Sequence, residues 1–129
     1  MEGNKMPQKE SKNKGLKKGF KKLEGMIEET VSSLQVGTDG FDKLTAVIEE
    51  LQVQFQNMDQ LKNSVGKNDS DFLVEMTSLS NETNKILNDI VEAMMSQDVV
   101  LLADLLEYEL KPRMTTWQYL SRDLERRIN

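Results

Sequence analysis

Asp104 and Glu107 stand three residues apart on one helical face, and with Glu109, Glu49, Glu50 and Glu92 they are the side chains of this chain best suited to bond-breaking chemistry. Carboxylates from two facing helices can hold a divalent ion that polarises a phosphate, the arrangement of a magnesium-dependent hydrolase. Such a site needs a second acidic pair at a clear interval, and the chain offers none that is convincing. The plainer reading is a solvated face with Glu107 paired to Lys111 one turn on.

The other routes to catalysis are thinner. The 129 residues contain no histidine and no cysteine, which removes the commonest general base, the thiolate nucleophile and the ordinary ligands of zinc and haem. The seven glycines form no phosphate-cradling loop: Gly15 and Gly19 sit among lysines, and Gly37 and Gly40 bracket a turn. No catalytic residue, cofactor site or metal ligand set is assigned. The expectation is a non-enzymatic protein without cofactors.

Charge is divided along the chain. Eight lysines and two glutamates occupy the first 22 residues, while the remainder holds nine basic against twenty acidic groups. Lys14, Lys17, Lys18, Lys21 and Lys22 could therefore meet a polyanion, nucleic acid or anionic lipid, in a mode that weakens with salt, whereas the body would repel one. A flexible solubilising tail is the bland alternative, and the tail could equally dock on its own body.

These side chains must be positioned by helices, because no strand pattern competes anywhere. Residues 1–15 are polar and Lys-rich, too poor in apolar groups to offset the entropy of ordering, and read as a disordered tail. From residue 16 to 129 the pattern is one bundle domain. Leu16, Phe20, Leu23, Ile27, Val31 and Leu34 recur at helical spacing and stop at Gly37. Phe41, Leu44, Ile48, Leu51, Phe55, Met58 and Val65 make a second stripe, with Lys62 at its broken position and Leu61 beside it.

Asp69 or Ser70 can cap a third helix built on Phe72, Met76, Leu79, Thr83, Ile86 and Ile90; Ser96 or Asp98 can cap a fourth. That last stripe, Val99, Leu102, Leu106, Leu110, Met114, Trp117, Leu124 and Ile128, continues past Pro112, which cannot donate to the Tyr108 carbonyl and so predicts a kink. The expected fold is all-α, an up-down antiparallel four-helix bundle with a basic N-terminal tail and a long, Pro-kinked last helix. Methionines at helical spacing read as core filler more readily than as a peptide groove.

The segment most able to confer specificity is residues 98–117, where Tyr108 shares a second stripe with Leu101 and Leu105. A helix apolar on two faces needs more cover than one neighbour gives, so a partner helix or a homodimer is expected. The run DVVLLADLLEYELKP followed by Trp117, with FDKLTAVIEELQVQFQNM before it, resembles small uncharacterised helical-bundle proteins of Firmicutes and related bacteria. That resemblance implies a compact bundle without established enzymatic activity, near motility or surface functions, with Asp104, Leu105, Glu107, Tyr108, Glu109 and Pro112 as its shared positions. Many of the aromatic residues that the resemblance implies in the second helix are polar here, so no shared ligand is carried over.

The leading expectation is a bacterial adaptor, chaperone-like or regulatory protein acting through a protein partner. The longest purely apolar run, Val99 to Ala103, is far too short to span a membrane. With no secretion signal at its start, the chain is expected in the cytoplasm, and the sequons at Asn68 and Asn81 read as chance.

Overall fold

The computed structural model describes residues 6–37, 39–65 and 69–128. All of its regular structure among these is helical: α1 (Met6–Val36), α2 (Gly40–Lys62), α3 (Ser70–Met95) and a fourth rod composed of α4 (Val99–Asp104), a π-helical turn (Leu105–Leu110) and α5 (Lys111–Ile128). α1 and α2 pack closely, α1 also lies along the whole fourth rod, and α3 packs on α4, the π turn and α5.

Where the sequence reads as a disordered tail through residue 15, the backbone is already helical at Met6. Once the α1 helix exists, each added residue gains a hydrogen bond for the dihedrals it fixes, and lysine, glutamine and glutamate are good helix formers. Residues 1–5 lie outside the described residues.

Glycine sets the first turn. Gly37 adopts φ +76, the left-handed conformation that a Cβ disfavours, and its N–H closes on the Leu34 carbonyl at 3.3 Å. Gly40 then approaches Leu34 so closely that a Cβ would come within 3.0 Å of the Leu34 backbone nitrogen. At the α3–α4 junction Asp98 caps as expected, accepting from the Leu101 N–H at 3.1 Å. Asp69 occupies the cap position of α3 without capping it; its carboxylate pairs with Arg127, whose guanidinium lies 4.4 Å from the centre of the Phe72 ring.

The core centres on Trp117, which is buried. Its ring stacks on Phe20 of α1 at 5.5 Å and meets Phe55 of α2 at 5.2 Å, and its Nε1–H donates to Thr83 Oγ1 of α3 at 3.1 Å. One side chain of the fourth rod thus touches the three other helices. As residue number rises along α1 it falls along the fourth rod, through Phe20–Trp117, Glu24–Thr115 and Glu28–Lys111. Along α2 the two rise together, through Phe55–Trp117 and Met58–Ser121.

Two positions correct the α2 stripe. Val47 and Gln54 are buried, while Ile48 and Phe55 are half-buried against the core edge. Gln54 fills the space left by Gly19, where a Cβ would collide with its amide, so Gly19 serves close helix approach. Of the methionines, Met58, Met76 and Met114 are buried filler, and Met95 is exposed.

The fourth rod neither breaks nor runs as uniform α-helix. Its core positions Leu102, Leu106, Leu110 and Met114 follow at four-residue steps, each of which overshoots a full turn by about 40° at 100° per residue. Uncorrected, three such steps would carry Met114 about 120° off the core. The π turn absorbs the drift: the Lys111 N–H reaches back five residues to the Leu106 carbonyl. It also comes just before Pro112, the residue with no N–H to give.

Replacing Thr83 by valine keeps the shape of the site but leaves the buried Trp117 Nε1–H without an acceptor. The expected loss is about 1–3 kcal/mol of unfolding free energy, read as a lowered urea midpoint with an unchanged slope.

Candidate functional site

The sequence-selected residues divide sharply. Leu105 and Trp117 are buried, whereas Asp104, Glu107, Tyr108, Glu109 and Pro112 are exposed on the fourth rod. Leu105 is therefore covered by α3, and the second apolar stripe survives at the surface only as Leu101 and Tyr108, 44% and 68% exposed. Lys18, Lys21 and Lys22 are exposed on α1; the side chains of Lys14 and Lys17 lie outside the described residues.

One groove, of about 300 Å³, runs between α1 and the π turn, with Glu28, Ser32, Gln35, Glu107 and Lys111 in its walls. Here the expected Glu107–Lys111 pair gives way to one across helices: Lys111 Nζ lies 2.5 Å from Glu28 Oε2. Thr115 Oγ1 donates to Glu24 Oε2 at 2.6 Å. The hydrogen bond to Glu28, helped by the charges of Glu28, Glu107 and Glu24, raises the Lys111 pKa above its ordinary value of 10.5. With one lysine already answering its carboxylates, the groove is a clasp between α1 and the fourth rod.

Asp104 and Glu107 bring no further carboxylates together: among the described residues no group of three or more Asp or Glu is placed to hold a metal ion. The geometry of a two-helix hydrolase site is thus missing from the described residues.

A second, shallower groove of about 450 Å³ lies between the end of α3 and the start of the fourth rod, lined by Asp89, Glu92, Ala93, Ser96, Leu101 and Leu105. Next to it Met95 and Val100 are 81% and 73% exposed. Between Lys85 and Lys111 the chain carries six carboxylates and no basic residue. The corner is therefore apolar with an acidic rim, and the ion pairs among the described residues use other carboxylates, those of Asp59, Glu28, Glu82 and Asp69. Sequence reasoning took Met95 with the other methionines as core filler, which its exposure corrects, and passed over Val100, although two large apolar residues about the Ser96–Asp98 turn were a legible signal.

An all-helical protein is the class that the described residues define. The chain belongs to the family described as "Domain of unknown function (DUF8042)", whose model matches residues 14–119. No curated protein and no solved structure matches it. The matched span takes in both grooves, Trp117 and most of α1. Among the described residues no helix is long and apolar enough to cross a membrane.

Because the Lys111 pKa is raised in the folded state, the clasp's contribution is whole below the ordinary lysine value and is lost as pH climbs through the raised one. Lys111→Met is expected to lose stability at neutral pH and to converge on the parent as pH rises beyond 10.5, followed by thermal melts across that range.

Proposed function

We propose that this chain is a non-enzymatic adaptor or regulatory protein of the bacterial cytoplasm, an up-down antiparallel bundle that works by holding another protein. The observation that carries the reading is the corner where α3 meets the fourth rod. Met95 and Val100 protrude there beside a groove walled by Leu101 and Asp89 and Glu92 carboxylates. Isolated exposed apolar residues are ordinary, but an apolar corner rimmed by one sign of charge selects a partner. The complementary segment offers an apolar side chain flanked by lysine or arginine. In this reading the buried Leu105 and Trp117 hold the surface in place, Pro112 bends the rod behind it, and Asp104 belongs to the acidic rim.

A second reading keeps Lys18, Lys21 and Lys22, exposed on α1, as a contact for nucleic acid or anionic lipid. Charge reversal at these three lysines tests it better than truncation, since cutting the chain at Lys22 would remove Phe20 from the Trp117 stack.

Met95→Asp combined with Val100→Asp alters exposed side chains only, so helicity and melting temperature should hold. In a nuclease-treated affinity capture the double variant is expected to lose a protein that the parent and the lysine-reversed variant both retain. Retention by the double variant, with loss on lysine reversal, would transfer the function to α1.

A further inference from the structure

α2 and α3 follow one another along the chain, yet they do not pack closely on each other. α2 rises with the fourth rod, through Phe55–Trp117 and Met58–Ser121. α3 falls against it, through Glu82–Arg113 and Asp69–Arg127, so α2 and α3 run antiparallel. Between them a cleft of about 230 Å³ reaches down to the buried Trp117. It shares no lining residue with the clasp groove or with the groove beside Met95.

The cleft lies where the apolar seam between the two helices is broken. On α2, Phe41, Ile48 and Phe55 follow at seven-residue steps, and on α3 the same step leads from Ser80 to Leu87 and Met94. Such a step stays within about 20° of one helical face. The five apolar members of these series are all half-buried against the core edge. Phe55 and Ser80 line the cleft together, so a phenylalanine shares this level with a hydroxymethyl group. A large side chain at position 80 would close the gap, and serine leaves it open.

We infer that this cleft binds a small, neutral aromatic molecule carrying a hydrogen-bonding group. A cavity of about 150 Å³ holds a benzene ring, so the volume here suits one ring or two fused ones. Its apolar surfaces favour a flat ring: Phe55 and Trp117 offer aromatic carbon, and Met58 and Met76 polarisable sulfur. On the α3 wall the Thr77 hydroxyl already donates to the Leu73 carbonyl at 3.0 Å. The Ser80 hydroxyl and the Asn84 amide have no partner among the described residues and can both donate and accept. The only charged groups in the walls, Asp59 and Lys62, pair with each other at 3.6 Å, so a neutral ligand is preferred to an ionic one. Bound there, the ligand bridges α2 and α3 by contacts the two helices do not make with each other, and stabilises the fold by linkage. This goes beyond the proposed function and stands independently of it.

Titration of the isotopically labelled full chain with unlabelled indole, followed by nuclear magnetic resonance, tests it, because the single tryptophan gives one indole N–H signal. Indole is expected to move that signal and the backbone amides of Ser80 and Asn84 along one saturable curve, with a dissociation constant of about 1 mM or below, and to raise the melting temperature. Ser80→Leu, which fills the cleft from a half-buried position, should abolish the shifts and raise the melting temperature of the free chain by roughly a few degrees. Asn84→Ala alters an exposed side chain, so it should keep the fold and weaken indole binding several-fold. No movement of the Trp117 signal at about 10 mM indole overturns the inference and leaves the cleft to water or to a partner's side chain. So does an indole response confined to Met95 and Val100, or one that survives unchanged in folded Ser80→Leu. Loss of protein capture through the Met95 and Val100 corner is read separately, because neither residue lines the cleft.

Discussion

The single hydrogen bond from Trp117 Nε1 to Thr83 Oγ1, with the Phe20 stack behind it, is what the rest of the architecture depends on. A tryptophan ring buried without an acceptor would leave a donor unpaid in a medium where water cannot reach it. Thr83 meets that need from α3 while its own hydroxyl donates to the Leu79 carbonyl at 2.8 Å, so both partners are satisfied inside the core. Because Phe20 and Phe55 complete the contact, α1, α2, α3 and the fourth rod are all registered against one ring.

A second constraint comes from the fourth rod, which must present a straight apolar edge to its neighbours over its full length. Four-residue steps from Leu102 to Met114 cannot do so in a regular α-helix, and the π turn reconciles them. The same local widening places Glu107 and Lys111 beside α1, where Lys111 clasps Glu28. It also precedes Pro112, whose lack of an N–H is tolerated best where the hydrogen-bond ladder already changes step. Core alignment and clasp are thus consequences of one irregularity.

Charge segregation decides what the surfaces can meet. The acidic stretch from Asp89 to Glu109 and the basic one from Lys111 to Arg127 give the rod a direction, while α1 begins with lysines. Surface ion pairs add little to stability, but their arrangement selects orientation and partner. The exposed apolar groups Met95, Val100, Tyr108 and Tyr119 sit among these charges.

The all-helical class, the glycine stop at Gly37, the Asp98 cap and most of the core were legible in the sequence, because helical periodicity and cap chemistry act over a few residues. Even the π turn left a trace, in the repeated four-residue steps of Leu102, Leu106, Leu110 and Met114. Long-range choices left none. That Lys111 would leave Glu107 for Glu28, that Asp69 would serve Arg127 instead of capping α3, and that Gly19 would make room for Gln54 each depend on which helices become neighbours. The division of the second apolar stripe into a buried Leu105 and an exposed Tyr108 was likewise settled by where α3 lies. Sequence alone determined which faces are apolar and which charges they carry; only the tertiary structure decided which of those faces are covered, because cover is supplied by residues far away along the chain.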